Sequence, residues 1–268
     1  MSPDPWSPER YLRFAEERAA PFHDLLALVG EVAPGGRAVD LGCGTGALTA
    51  TLHRTLGMGT TLGVDSSQAM LGKAEAHAGA GLSFARGDLE ADDLGTGGGP
   101  FDVVFSNAAL HWVDGHPALL PRLAALLAPG GVLAVQVPAN ERHLSQRAAV
   151  ALAQTEPFAQ ALDGWVRRTP VMEPEGYAMA LADLGLDELS VRAQVYLHQL
   201  PDAEALVTWM AGTTLTAYER RLPAGLFEQF LKRYGRVLAE QLPGEGPVPF
   251  PFRRILFRAR RPHSAADA

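Results

Sequence analysis

The chain has 268 residues, 47% of them apolar and 20% charged, with 23 basic against 30 acidic side chains and a net charge of −7. This is the composition of a folded chain, long enough at about 150 residues per domain for one large α/β domain or two small ones, and it excludes an extensively disordered protein. An acidic balance also lacks the basic footprint of a phosphate-backbone binder, so no nucleic-acid partner is expected. The single cysteine, Cys43, leaves no intramolecular disulfide and no Cys-rich zinc site. It fits a reducing compartment, and a cytoplasmic location is expected. The opening MSPDPWSPERYLRF has no apolar core of a signal peptide, and no run of about 18 apolar residues predicts a membrane span.

In chain order, residues 7–29 read as a helix, with Ser7 as N-cap and Pro8 in the first turn. Tyr11, Phe14 and Arg18 share one face of it. From 37 to 137 short apolar runs alternate with amphipathic segments, the pattern of a parallel sheet wound with helices. The predicted strands are 37–41, 60–65, 82–88, 101–107 and 131–137; the helices between are 46–56, 67–78 and 116–128. Near-continuous apolar runs such as FDVVFSN suit strands buried on both faces. GTGGG at 95–99 is a surface turn, and APGG at 128–131 closes a helix and opens a strand. Beyond the core, 144–162 and 174–184 read as helices, and 189–200 and 250–260 as strands. Between those two strands, 201–242 is mostly helical and too long for a plain turn. It reads as a cap over the core. The tail PHSAADA is expected to be disordered.

The densest chemistry lies in VDLGCGTGALTATL, 39–52, where a strand ends and Gly42, Gly44 and Gly46 precede a helix. Glycine is needed where the backbone turns tightly and approaches a ligand. Gly42, Gly44 and Ala47 also satisfy G-x-G-x-x-A, so a dinucleotide site is an alternative. Against that, Asp40 just before the first glycine would repel a pyrophosphate and attract a cationic amino acid. Asp65 ends the second strand, placed for ribose hydroxyls, and Asp88 ends the third, placed for an exocyclic amine. Three acids at successive strand ends form a cup at the carboxyl edge of the sheet.

With these residues in view, DLGCGTG, VDSS, GDLE and LAPGGVLAV resemble, in order and spacing, the class I S-adenosylmethionine-dependent methyltransferases. The segments WSPERYLRFAEERAAP, FSNAALHWVDGHPALLPRLAALLAPGGVLAVQVP, YLHQLPDAEALVTWMAGTTL, FLKRYGRVLAEQLP and FPFRRILFRARR are similar to the trans-aconitate methyltransferases along nearly the whole chain. The resemblance implies a Rossmann-like seven-stranded sheet, mostly parallel with the last strand antiparallel. It also implies an N-terminal helix over the cofactor and a helical cap inserted before the last strand. The expected plan is one methyltransferase domain: a lid at 1–30, a cofactor core at 31–140, substrate-side elements at 141–250, the last strand at 251–261 and a tail at 262–268. The family often has Arg and Pro where this chain has Thr216 and Ala217, so one anion-pairing group differs.

The expected cofactor is S-adenosylmethionine, leaving as S-adenosylhomocysteine. Its candidate residues are Asp40 (through water or the loop backbone), Gly42, Cys43, Gly44, Asp65, Ser66, Asp88, the Leu89 backbone and Asn107. Tyr11 and Arg18 would close over it, Arg18 either pairing its carboxylate or making a surface pair along the helix. Trp6 is either a lid residue or an apolar anchor. Asn107 follows the fourth strand, facing methyl transfer or forming a turn; His111 and Trp112 come next, as positioning groups. Cys43 reads as a small loop residue rather than a nucleophile, and no metal is expected.

A polycarboxylic acceptor needs donors, Arg above all. The candidates are Arg253 and Arg254, with Arg142, Tyr196, His198, Thr213 and Tyr218. Arg254, Arg258 and Arg260 share a face, so a solubilising edge strand is the competing reading. A carboxylate is ionised at neutral pH, so positioning rather than a general base would carry methyl transfer. The alternatives are a methyltransferase for another small-molecule O or N acceptor, with His111 or His198 as base, a nicotinamide-dependent oxidoreductase, and a non-catalytic binding module. The expected partner is a small acceptor, without nucleic acid or membrane, and the chain is expected to be a monomer or weak homodimer.

Overall fold

The computed structural model describes residues 15–91, 94–97, 99–242 and 246–263. By its internal contacts the chain divides into two compact units. The first comprises Met1–Pro138, Pro170–Gln194 and Arg254–Ala268; the second comprises Ala139–Thr169 and Val195–Arg253. Trp6, Ser7, Pro8 and Tyr11 lie outside the described residues, as does the side chain of Arg18.

The strands are β1 (Arg37–Leu41), β2 (Thr60–Asp65), β3 (Leu82–Arg86), β4 (Phe101–Asn107), β5 (Leu127–Pro138), β6 (Asp187–Leu200) and β7 (Val248–Arg260). They form one seven-stranded sheet in the order β3-β2-β1-β4-β5-β7-β6. The pairs β3–β2, β2–β1, β1–β4 and β4–β5 are parallel, and β7 runs antiparallel to β5. The mostly parallel sheet with its last strand reversed is the expected architecture. Because β2 and β3 extend to one side of β1 and β4 and β5 to the other, the order reverses at β1. That switch point opens a crevice beyond the carboxyl ends of the strands.

Helix α1 (Ala15–Val29) covers one sheet face. Phe22, Leu25, Leu26 and Val29 pack with Ala38, Val103, Phe105, Val132, Ala134 and Leu256, and the rings of Phe22 and Phe105 meet edge to face at 5.6 Å. Each of the larger of these side chains contributes about 1.5–3 kcal/mol by leaving water. Further helices of this unit are α2 (Ala47–Thr55), α3 (Gln68–Ala74) and α4 (His116–Ala125).

Two boundaries differ from expectation for local reasons. Helix α4 ends at Ala125 and β5 starts at Leu127, because Leu127 pairs with Phe101 before the Pro129-Gly130-Gly131 irregularity shifts the register to Val132 on Val103. The helix expected over 144–162 is two, α5 (Leu144–Ala153) and α6 (Phe158–Ala161), since Pro157 cannot continue the first. The next helix, α7 (Pro174–Asp183), belongs to the first unit.

In the second unit, 201–242 folds as α8 (Ala203–Ala211), α9 (Thr216–Glu219) and α10 (Ala224–Gln241). Asp202 caps α8 by accepting the Ala205 N–H at 2.7 Å. Phe227, Phe230, Tyr234 and Leu238 line one face of α10, at spacings of three and four. Tyr218 stacks on Phe230 at 5.1 Å, and Phe158 meets it edge to face at 5.0 Å.

Candidate active site

The glycine loop is fixed by backbone geometry. Gly42 and Gly44 take φ of +81° and +57°, which L side chains rarely adopt. A Cβ on Gly42 would also stand 2.1 Å from that of Ala109. The Gly42 and Cys43 amides donate to the Val64 carbonyl at 2.8 and 3.0 Å. The Gly44 amide donates to Asp65 Oδ2 at 2.8 Å, while Asp65 Oδ1 accepts the Ser67 amide at 2.9 Å. Asp65 thus ties the loop after β1 to the turn after β2. A carboxylate oxygen can accept more than one such bond. Ser66 is exposed, and Ser67 caps α3 through Met70 at 3.1 Å.

Asp40 is 4% exposed and accepts the Thr49 hydroxyl at 2.6 Å. Burial pushes its pKa up to about 7, with the Asp65 charge adding and the Thr49 bond opposing. Its partner is therefore a side chain of α2, which the sequence reading through water or loop backbone did not foresee. Burial and both carboxylates also drive the Cys43 thiol up, so it stays protonated and inert.

Asp88 is exposed beyond β3 and accepts the Glu90 amide at 3.0 Å. The Leu89 carbonyl is taken by Arg122 Nη1 at 3.2 Å, and Arg122 also holds the Ala91 carbonyl. Arg122 thus fixes the backbone of the Leu89 turn. Arg122 as the clamp of this turn has no sequence signal, since it reads as an ordinary charge on α4.

Asn107 ends β4, half-buried, and its Oδ1 is buried with no hydrogen-bond partner among the described residues. His111 and Trp112 follow on a short turn, their rings 4.8 Å apart. His116 holds that turn: its Nε2 meets the Leu110 carbonyl at 2.9 Å and its Nδ1 meets the Tyr177 hydroxyl at 2.5 Å. A carbonyl only accepts, so Nε2 carries the proton and Nδ1 accepts. Burial lowers the pKa of His116 and keeps this tautomer neutral. Among the described residues no group of three or more His, Cys, Asp or Glu is placed to hold a metal ion.

Asp40, Gly42, Cys43, Gly44, Asp65, Ser66, Asp88, Leu89, Asn107, His111 and Trp112 therefore gather at the carboxyl edge of one sheet, within the first unit. Arg254 belongs to the same unit and is 3% exposed, with Nη1 donating to Gln136 Oε1 at 3.2 Å. It is not the exposed group of a solubilising strand: β7 lies between β5 and β6, and Arg258 and Arg260 instead hold Glu188 at 2.8 and 3.0 Å.

The other acceptor-side candidates, Arg142, Tyr196, His198, Thr213, Tyr218 and Arg253, belong to the second unit. Arg142 is exposed, and Tyr196 and His198 share a half-buried face of β6. The His198 ring lies 5.2 Å from Trp209. The half-buried Arg253 donates its backbone N–H to Asn140 Oδ1 at 3.0 Å. Two candidates need correction. Thr213 gives its hydroxyl proton to the Trp209 carbonyl at 2.8 Å, so it has none left for an anion. Tyr218 is fully buried, and its hydroxyl accepts the Arg167 N–H at 3.3 Å, which makes it a core residue. Thr216 likewise donates to the Thr213 carbonyl at 2.6 Å.

The methyltransferase domain family matches residues 38–131. Among solved structures, a chain of the complex between a Haloferax volcanii methyltransferase activator and a putative methyltransferase is similar at TM-score 0.57 and 20% identity, over 96% of this chain and 95% of that one. Haemonchus contortus phosphoethanolamine N-methyltransferase 2, in complex with S-adenosyl-L-methionine, is similar at TM-score 0.54 and 18% identity, over 90% of this chain and 52% of that one. These likenesses concern the fold. In sequence, the trans-aconitate 2-methyltransferase of Deinococcus radiodurans is 44% identical over 96% of this chain and 98% of its own length. That of Mycobacterium sp. strain KMS is 40% identical over 95% and 99%. With both units spanned at that identity, the chain belongs to the trans-aconitate 2-methyltransferase family.

Proposed function

We propose that the protein transfers the methyl group of S-adenosylmethionine to a carboxylate of trans-aconitate, giving a monomethyl ester and S-adenosylhomocysteine. The observation that carries this reading is the likeness to trans-aconitate 2-methyltransferases across 96% of the chain, second unit included. The residues at the carboxyl edge fit the cofactor. The Gly42–Gly44 backbone supplies close approach, Asp65 supplies a carboxylate suited to ribose hydroxyls, and Asp88 with the Leu89 N–H suits an adenine edge. The unpartnered Oδ1 of Asn107 suits an ammonium donor. When bound, the cofactor supplies a methyl group already activated on a sulfonium sulfur.

The work left to the chain is alignment. The acceptor carboxylate is ionised at neutral pH, so no residue must remove a proton. The new bond from oxygen to the methyl carbon forms as the carbon–sulfur bond breaks, and holding the two in line is worth up to about 7–11 kcal/mol. Asn107, His111, Trp112 and Arg254 are the positioning groups in the first unit. Arg18 and Tyr11 complete the cofactor set from the N-terminal segment, which acts as a lid. We place the enzyme in the cytoplasm as a monomer or weak homodimer without a nucleic-acid partner; among the described residues, no helix is long and apolar enough to cross a membrane.

Mass spectrometry of the protein with S-adenosylmethionine and trans-aconitate tests this directly. The expected product is a monomethyl ester. No ester, in a sample where S-adenosylhomocysteine binding is demonstrated, overturns the acceptor and leaves the methyltransferase.

A further inference from the structure

β5 places one polar side chain in the run Val132–Val137. This is Gln136, which is wholly buried. One step deeper on the same sheet face, Ala134 and Phe105 belong to the apolar core under α1. An amide at that boundary is costly to bury unless all its groups are used. Its Oε1 accepts from Arg254 Nη1 at 3.2 Å. A guanidinium only donates, so the amide cannot be turned the other way, and its NH2 points away from Arg254. That Nε2 is buried and has no hydrogen-bond partner among the described residues.

The register shows what surrounds it. Gln136 pairs with Asn107 of β4 on one side and with Leu256 of β7 on the other. Arg254 stands two residues before Leu256, so Asn107, Gln136 and Arg254 leave the same face of the sheet. A buried acceptor oxygen, a buried N–H donor and a buried cation thus lie on three adjacent strands. The acceptor oxygen and the donor are not used on each other. Their polarities suit two different ligand groups: the oxygen accepts a hydrogen bond from a cation, and the N–H backed by a guanidinium donates to an anion.

We propose that Gln136, oriented by Arg254, is a positioning residue that donates its Nε2–H to a carboxylate of the acceptor and so sets the preference for a polycarboxylic acid. This rests on trans-aconitate being the acceptor. Arg254 contributes twice, through its own charge and by fixing which end of the amide faces the ligand.

The test uses Gln136→Met, which keeps length and apolar packing but removes the donor, and Gln136→Glu, which keeps the shape and the Arg254 contact but adds a negative charge. S-adenosylhomocysteine affinity is measured first, as the control for an intact fold and cofactor site. The Met variant is expected to keep that affinity within about twofold while KM for trans-aconitate rises about tenfold or more, with kcat less affected, the size of one lost bond to a charged group. The preference for trans-aconitate over fumarate, which lacks one carboxylate arm, should shrink with it. The Glu variant should raise KM further. An unchanged KM and an unchanged preference in either folded variant overturns the assignment, while ester formation by the wild type leaves the acceptor standing. A wild type that makes no ester overturns both.

Discussion

In the second unit, polar side chains are committed within the fold, mostly to backbone carbonyls. Thr213 donates to Trp209, Thr216 to Thr213, Gln146 to Thr214 at 2.7 Å, and Tyr234 to the Ser145 carbonyl at 2.9 Å. At the carboxyl edge in the first unit, Asn107 and Gln136 keep a buried oxygen and a buried N–H without partners among the described residues. Asn140 is one exception in the second unit, its Nδ2 being in the same condition. Both units pay to remove polar groups from water, but only the sheet edge leaves the cost uncompensated on adjacent strands. A core satisfies its polar groups, whereas a site holds some back for a ligand.

The sharpest way to break that contrast is at the loop. Gly42→Ala forces a Cβ to 2.1 Å from Ala109 at φ +81°. It should cost about 1–3 kcal/mol of stability and nearly abolish S-adenosylhomocysteine binding, read by thermal melting and calorimetry. Next, Asp65→Asn removes the charge that holds the Gly44 and Ser67 amides. Cofactor affinity should fall about 10- to 100-fold, with acceptor KM at saturating cofactor much less changed. If the two constants moved together, the cofactor and acceptor roles would not be separable at this edge.

The second unit offers the opposite expectation. Tyr218→Phe and Thr213→Val each remove one internal bond and should cost only about 0.5–1.5 kcal/mol of stability, leaving acceptor KM unchanged. A tenfold rise in that KM would return both residues to the acceptor site.

Asp40 offers a contrast in pH rather than in affinity. Its pKa is raised from 3.8 to about 7 in the folded protein, so between those values the unfolded chain releases a proton that the folded chain keeps. Stability contributed by this group therefore falls as pH rises from about 4 to about 7. Asp40→Asn, which keeps an oxygen for Thr49, should flatten that part of the stability–pH curve. A curve identical to the wild type would mean that Asp40 is already ionised in the fold.

What the sequence revealed follows the same division. The glycines, Asp65, Asp88 and Asn107 were legible because strand ends and positive-φ turns are fixed by local backbone rules. The reversed last strand was legible through family resemblance. Gln136 left a signal that went unread, a lone polar residue within an apolar strand. Arg122 and His116 left none, because what they hold, the Leu89 turn and the Leu110 carbonyl, is set by tertiary packing. Thr213 and Tyr218 read as donors because donor chemistry is visible in a sequence, whereas the carbonyl that accepts from Thr213 and the full burial of Tyr218 are set by packing. The N-terminal candidates Tyr11 and Trp6 lie outside the described residues.

The most direct measurement is a crystal structure with S-adenosylhomocysteine and trans-aconitate bound. The account predicts that Asn107 Oδ1 and Gln136 Nε2 each gain a ligand partner, while the hydroxyls of Thr213 and Tyr218 keep their internal bonds. A complex in which those two atoms stay unpartnered and the acceptor is held by Thr213 or Tyr218 would contradict it.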